Sequence, residues 1–193
     1  MWKKQKIVIP IEISARHCHL SKTDLEKLFG ESYELKKIKQ LSASADFACE
    51  EKIILQVGSK KFENVRVVGP LRSQTQVEIS LTDAIGSGVV PPIRLSGNLE
   101  GSSEIKITGP NGEVELQEGL IIAKRHIHCA TYEAKKYKLK HGDVVSVRVG
   151  GERPVVFEDV AVRVKDDYRL CLHLDTDEGN AAGINKKGEG EIV

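Results

Sequence analysis

The stretch "ISARHCHLS" (residues 13–21) spends two of the chain's six histidines around one cysteine, behind an arginine and ahead of a serine suited to cap a helix. "IAKRHIHCA" (residues 122–130) writes Arg-His-x-His a second time. Each cluster sits at the end of an apolar alternating stretch and runs into a short helical pattern. In "SKTDLEKLFG" Ser21 is the predicted N-cap, Asp24 stands at the third helical position, Leu25 and Leu28 share a face, and Gly30 is the stop. "ATYEAKKYKLKHGD" repeats the idea, with Thr131 as the predicted cap and Gly142 as the predicted end. The same order of strand, cluster and helix, written twice, reads as an internal duplication.

The duplication extends beyond the histidines. His17 and His19 fall on His126 and His128 at a shift of 109, and "QVEISLTDA" (76–84) falls on "CLHLDTDEG" (171–179) at a shift of 95, placing Glu78 opposite His173. The central "PPIRLSGNLEGSSEIKITGPNGEVELQEG" shows no counterpart and reads as an insertion. Period-two alternation marks strands at "KIVIPIEIS", "KIILQV", "ENVRVVG", "TQVEISL", "IRLSG", "EIKITG", "DVVSVRV", "VAVRV" and "RLCLHLD". Turn signals separate them, among them Gly69-Pro70, Gly109-Pro110-Asn111-Gly112 and Gly150-Gly151. Many short strands at even spacing point to a mainly β chain of two related small β-barrels with a few short helices.

Composition narrows the function. The 193 residues are long enough for a real core, and 40% apolar with 30% charged residues is ordinary for a globular protein. A net charge of +1 argues against a dedicated nucleic-acid binder, while leaving room for a local basic site for a phosphorylated ligand. No apolar run approaches the ~18–20 residues that cross a bilayer, so no membrane partner is expected. The start "MWKKQKIVIPIEIS" lacks the long apolar core and small-residue cleavage site of a secretory signal. The four cysteines, Cys18, Cys49, Cys129 and Cys171, form no C-x-x-C pair and read as reduced thiols of a cytoplasmic protein.

In a strand, residues i and i+2 face the same side, so His17 and His19 reach one ion together, as do His126 and His128. Imidazole nitrogens with a carboxylate suit tetrahedral Zn²⁺, and an open position makes such a site catalytic. The duplication supplies a third ligand to each half, giving His17/His19/Glu78 and His126/His128/His173. His141, beside Gly142 in a turn, is left as a solvated surface residue. A lone H-x-H is weak evidence, since a strand-end histidine is usually a half-buried hydrogen-bonding residue; its repetition with the same arginine and the same following helix is the stronger signal. "HCHLSK" and "HIHCAT" lack the later Asp-His of metallo-β-lactamase sites, Thr23 stands where a cupin wants Glu, and an amidohydrolase barrel needs a longer chain. Cys18 points away from its flanking histidines, whereas Cys171, two before His173, is either a spare ligand or, like the others, a core thiol.

Arg72 follows the Gly69-Pro70 turn, six residues before Glu78. Its fork of donors suits phosphate oxygens beside a metal, although position alone also fits a surface arginine on a turn. Arg16 and Arg125 precede their histidines, and at least one is expected in a structural salt bridge. "DTDEGN" (175–180) lacks the spacing of a calcium loop and is expected to cap a helix or to support His173.

The segments "SARHCHLS", "VRVVGPLRSQTQVEISLTDA", "IRLSGN", "IIAKRHIH", "HGD" and "DTDEGNAAG", in this order from about Ile9 to Gly183, resemble the PduL-type phosphotransacylases, or phosphate propanoyltransferases. The resemblance implies transfer of a short acyl group, acetyl or propanoyl, between coenzyme A and inorganic phosphate to give an acyl phosphate. It implies two intertwined β-barrels, one from residues 6–15 plus 124–193 and the other from 16–123, and a two-metal site, usually zinc. It carries the metal ligands onto His17, His19, Glu78, His126, His128 and His173, and the phosphate-binding arginine onto Arg72, the residue assigned a catalytic part. Ala15, "LSASADFACEE" and "RHIHCATYE" depart from the family's usual residues beside the site and bear on acyl-chain preference. The chain begins about where the first strand does, so it is expected to be a cytosolic member without a microcompartment-targeting extension. A homo-oligomer such as a dimer is compatible with this reading. The residues that hold coenzyme A are not legible. A metal-dependent thioester or phosphoester hydrolase would use the same ligands, and a non-catalytic double-barrel module would hold no stoichiometric zinc.

Overall fold

The structure is a computed structural model describing residues 6–193. The chain runs β1 (Ile7–Ser14), β2 (His17–His19), α1 (Lys22–Phe29), β3 (Lys37–Gln40), β4 (Phe47–Val57), β5 (Lys60–Gly69), β6 (Gln76–Ile79) and α2 (Leu81–Ser87). It continues through β7 (Ile93–Arg94), β8 (Ser103–Thr108), β9 (Glu113–Ala123), β10 (His126–Cys129), α3 (Thr131–Tyr137), β11 (Val144–Val149), β12 (Val155–Val164), β13 (Cys171–Asp175), α4 (Thr176–Ala181) and β14 (Lys187–Ile192). Among the described residues the protein is mainly β, as the alternation predicts, with four short helices.

Two compact units share this chain. One comprises residues 1–14, 42–44 and 124–193, of which residues from Lys6 onward are described; the other comprises 15–41 and 45–123. The first unit is a closed barrel in the order β1-β13-β10-β12-β11-β14. In the second, β4-β5-β2-β6-β9 is closed by β8, which pairs with both β4 and β9, while β3 and β7 sit outside the ring. The two rings match strand for strand. β10 is antiparallel to β13 and parallel to β12, as β2 is antiparallel to β6 and parallel to β5. β1 runs parallel to β13, and β9 runs parallel to β6.

This correspondence corrects one expectation. The central segment that lacks a sequence counterpart is no insertion: its β8 and β9 hold in one ring the places that β14 and β1 hold in the other. The true extra length lies between β2 and β5. Pairing sets His17 beside Arg66 and His126 beside Ala161, so the shift of 109 at the histidines has dropped to 95 by β5 and β12. The fourteen additional residues include β3, which has no equivalent in the other ring. The sequence hides this because β8 and β14 share only a period of two, and many side-chain sets satisfy that pattern.

Each unit packs its own core. In one, Cys18, Leu20, Leu25, Leu28, Leu55, Ile107 and Leu120 are among the fully buried side chains; in the other, Ile9, Ile11, Ile127, Val147 and Leu172 are. At about 1.5–3 kcal/mol for each large aliphatic side chain, these cores outweigh any single polar contact described below. Because Ile127 and Cys18 point into the cores, the histidines on either side of each are turned to the opposite face of the strand.

Helix α1 begins as predicted: the Ser21 side chain accepts from the Asp24 N–H, an arrangement worth about 1 kcal/mol. Helix α3 differs. Its N-cap is Ala130, whose N–H donates to Glu133 at 2.9 Å, and Thr131 is already its first helical residue. It stops at Tyr137 with Lys138 in the left-handed conformation, and Gly142 lies in the following turn, so leucine and lysine spacing overstated the helix's length. Helix α4 starts in a reciprocal box, in which Asp175 accepts from the Glu178 N–H and Glu178 accepts from the Asp175 N–H. "DTDEGN" is thus a helix start. Among the described residues no helix is long and apolar enough to cross a membrane.

Candidate functional site

Register brings the first cluster together. β2 pairs with β6 so that His17 lies directly opposite Glu78 and His19 opposite Gln76. Cross-strand partners project to the same side, and the i, i+2 rule adds the second member on each strand. The result is His17, His19, Gln76 and Glu78 on one face, with Cys18 and Val77 on the other in the core.

Each imidazole is aimed by its backbone. His17 Nδ1 lies 2.9 Å from the Ala15 carbonyl and His19 Nδ1 lies 2.9 Å from the Val68 carbonyl. A carbonyl only accepts, so both Nδ1 atoms carry a proton, and in the neutral rings both Nε2 atoms present lone pairs. Those Nε2 atoms are 3.2 Å apart, and Glu78 Oε2 is 3.6 Å from His17 Nε2. All three ligand atoms lie within 4.8 Å of one another. Two lone pairs facing each other repel, unless a cation lies between them. Two nitrogens on a tetrahedral zinc would be separated by about 3.3 Å, close to the spacing found. The donor set therefore fits a divalent ion such as zinc.

Electrostatics agrees. Burial, reinforced by the nearby His17 and Arg72 charges, pushes the His19 pKa well below its ordinary value, and His19 is neutral near pH 7. Burial acts to raise the Glu78 pKa, but the His17 and His19 rings, the Ser96 hydroxyl and the Arg72 guanidinium outweigh it, and the carboxyl stays ionised. Because His19 is uncharged, the lasting part of that pull comes from the other groups. A neutral His19 and an ionised Glu78 are in the protonation states that metal ligation requires.

Arg72 stands beside this cluster. The cis Gly69–Pro70 peptide turns the chain after β5, where a side chain on Gly69 would meet the Phe47 ring at 2.5 Å. Arg72 N–H then donates to the Leu20 carbonyl at 2.9 Å, which ties the turn to the strand carrying the histidines. The guanidinium Nη1 donates to Ser96 Oγ at 2.8 Å, and Nη2 lies 4.0 Å from Asp46 Oδ2. Gln76 Nε2 reaches both Glu78 Oε1 at 2.6 Å and Ser96 Oγ at 2.8 Å, and Gln76 Oε1 accepts from the Gly97 N–H at 2.7 Å. Gln76 and Ser96 were not singled out from the sequence. Gln76 was within reach of the i, i+2 rule applied to Glu78, whereas nothing local marks Ser96.

The second cluster is built by the same register. β10 pairs with β13 so that His126 lies opposite His173 and His128 opposite Cys171. His126 Nδ1 is 2.9 Å from the Lys124 carbonyl, and its Nε2 is 3.2 Å from His128 Nε2. The His173 ring lies 5.3 Å from that of His126 and 4.6 Å from that of His128, centroid to centroid. Tyr168 stacks on His128 at 3.8 Å. Burial, with the His173, His126 and Arg163 charges, pushes the His128 pKa far down, so this ring too is neutral.

The remaining candidates fall outside both clusters' ligand positions. Arg16 grips Asp83 with Nε and Nη2 at 2.7 and 2.6 Å, and Arg125 donates to Glu178 at 2.7 Å and to the Glu158 carbonyl at 2.7 Å. Both arginines are therefore salt-bridged, each to the third residue of the helix that follows the third-ligand strand. His141 is exposed and accepts from the Val164 N–H. All four cysteines are buried and free, and burial pushes Cys49 and Cys129 up to about 11 and Cys171 up to about 12.

A family model described as phosphate propanoyltransferase matches residues 10–185. A phosphate propanoyltransferase of Thermotoga maritima is 49% identical over 186 residues, covering 96% of this chain and 87% of the relative. Another from Lachnoclostridium phytofermentans is 48% identical over 190 residues, covering 98% and 88%. A third, from Clostridioides difficile, is 45% identical over 190 residues, covering 98% and 91%. The chain belongs to the phosphate propanoyltransferase family, a family of phosphotransacylases.

Proposed function

We propose that this protein transfers a short acyl group, propanoyl or acetyl, between coenzyme A and inorganic phosphate, with two divalent ions, zinc by preference, one held by His17, His19 and Glu78 and the other by His126, His128 and His173. The observation that carries the reading is the placement of Arg72 in one hydrogen-bonded set with Glu78, beside two imidazoles whose Nε2 atoms converge.

Arg72 binds phosphate. Its planar fork of donors matches two phosphate oxygens, and its charge offsets the dianion as it approaches an electron-rich thioester. The histidines and Glu78 hold the ion; when bound, it supplies Lewis acidity to the phosphate and to the charge that builds on the thioester carbonyl. A phosphate oxygen forms a bond to the acyl carbon while the carbon–sulfur bond breaks. The proton of hydrogen phosphate ends on the departing coenzyme A sulfur, so acyl phosphate and free thiol result. Fixing phosphate against the acyl carbon supplies the orientation that a bimolecular attack lacks.

Direct attack is favoured over an acyl-enzyme. A cysteine nucleophile needs an accessible thiol of lowered pKa, and here all four are buried, with pKa values raised by that burial. Reduced, buried thiols also fit a reducing compartment such as the cytoplasm.

The test pairs metal analysis with an assay of coenzyme A release from acetyl- and propanoyl-CoA, with and without phosphate. Two zinc equivalents and release that depends on phosphate are expected. Release without phosphate would mark a hydrolase, and an active protein free of divalent metal would refute the ligand assignment.

A further inference from the structure

Ser96 Oγ is the point where the Arg72 and Glu78 arrangements meet. It accepts one hydrogen bond from Arg72 Nη1 at 2.8 Å and a second from Gln76 Nε2 at 2.8 Å. A hydroxyl has two acceptor lone pairs and one proton. With both lone pairs engaged by N–H donors, its proton must go to an acceptor, and the Glu78 carboxylate is the acceptor it acts on. Gln76 in turn holds Glu78 Oε1 at 2.6 Å, while Glu78 Oε2 faces His17. The Gln76 amide is itself fixed, because its oxygen accepts from the Gly97 N–H. Gly97 takes φ +99°, a conformation that favours glycine, and it bends the backbone so that this N–H and the Ser96 side chain reach the same amide.

We propose that Ser96 is a positioning residue. It holds the Arg72 guanidinium and the Glu78 carboxylate in one orientation, so that the phosphate-binding fork and the metal-binding oxygen are presented together. The idea rests on the reading of Arg72 and Glu78 given above, and it adds a residue that makes neither contact itself. A network of this kind couples two functions through one hydroxyl. Without it, Arg72 would have to find its orientation at the moment phosphate binds, and Glu78 would lose one of the contacts that keep Oε2 toward the histidines.

The experiment compares Ser96→Ala, Ser96→Thr and Arg72→Ala with the parent chain, each loaded with zinc. The readouts are the KM values for phosphate and for acyl-CoA, and the rate at which zinc passes to a colorimetric chelator. Ser96→Ala should raise KM for phosphate about tenfold or more, from loss of a charge-assisted hydrogen bond, with KM for acyl-CoA within about twofold of the parent. It should also speed the loss of one zinc equivalent about tenfold. Ser96→Thr, which keeps the hydroxyl, should restore both. Parent-like phosphate KM and zinc release in Ser96→Ala would overturn the proposal. So would an equal rise in both KM values, or a defect that threonine does not restore. Arg72→Ala separates the layers. If it leaves phosphate KM unchanged, the assignment of Arg72 itself fails; if it raises KM while Ser96→Ala is silent, only the positioning role falls.

Discussion

The two histidine clusters are copies in register and opposites in chemistry. Both put two imidazoles on a short strand, with Nε2 atoms 3.2 Å apart. Opposite them, one barrel offers the Gln76–Glu78 pair and the other offers Cys171 and His173. The first set contains the ionised Glu78 carboxylate, held by hydrogen bonds from an amide and a hydroxyl. The second contains no carboxylate and is packed by rings, with Tyr168 stacked on His128. A carboxylate has two oxygens and swings about its bond, so it needs Gln76 to select one. The His173 imidazole packs against the rings of His126 and His128, and a buried thiol, Cys171, stands at the position equivalent to Gln76. A divalent ion would retain a net charge of about +1 in the first cluster and +2 in the second, making the second the stronger Lewis acid and the first the tighter holder.

The largest effects come from removing a ligand. His17→Ala should abolish one of the two zinc equivalents and lower turnover on the order of a thousandfold or more, measured by elemental analysis beside the phosphate-dependent assay. His126→Ala should do the same for the other equivalent. If either variant kept both metals, that half of the assignment would be wrong.

Exchanging the third ligands attacks the comparison directly. Glu78→His makes the first cluster resemble the second and should weaken its zinc at least about tenfold in chelator competition. His173→Glu should tighten the second by a similar factor. Its activity should still fall, because the added charge would offset the Lewis acidity that an ion in the second site would supply. Unchanged affinities in both variants would show that charge does not distinguish the clusters.

What the sequence made legible follows from the same register. A period of two places His17 with His19, and a constant shift of 95 places Glu78 and His173 in equivalent strands; both follow from local spacing and survive folding unchanged. The Arg72–Ser96 contact joins residues 24 positions apart, with β6, α2 and β7 between them, and no periodicity reports that. The counterpart of β9 was missed for a different reason. Its equivalent, β1, lies at the opposite end of the chain, so a comparison that keeps sequence order cannot align them. Helix α3 was drawn too long because lysine-rich segments keep helical propensity beyond the point where Lys138 turns left-handed.

The smallest difference concerns the arginines that precede each histidine pair. Arg16 makes a bidentate bridge to Asp83, and 42% of the arginine side chain is exposed, so water competes for the guanidinium. Arg125 meets Glu178, whose side chain is 18% exposed and whose pKa burial pushes up, and it also satisfies the Glu158 carbonyl. Removing Arg16 takes a half-exposed partner from Asp83, whose side chain is not part of a reciprocal box at the start of α2, and this should cost about 1 kcal/mol. Removing Arg125 strands a half-buried carboxylate that is also the reciprocal partner in the start of α4, which should cost about 1–2 kcal/mol. Chemical denaturation of Arg16→Ala and Arg125→Ala should therefore rank the second as less stable. Well above the raised folded value, where Glu178 is ionised in both folded and unfolded chains, the gap should be widest; as the pH falls through that value, Glu178 takes up a proton, loses its need for Arg125, and the gap should narrow. A gap that held constant with pH would assign the cost to the Glu158 carbonyl instead, and would make the two arginines equivalent in charge after all.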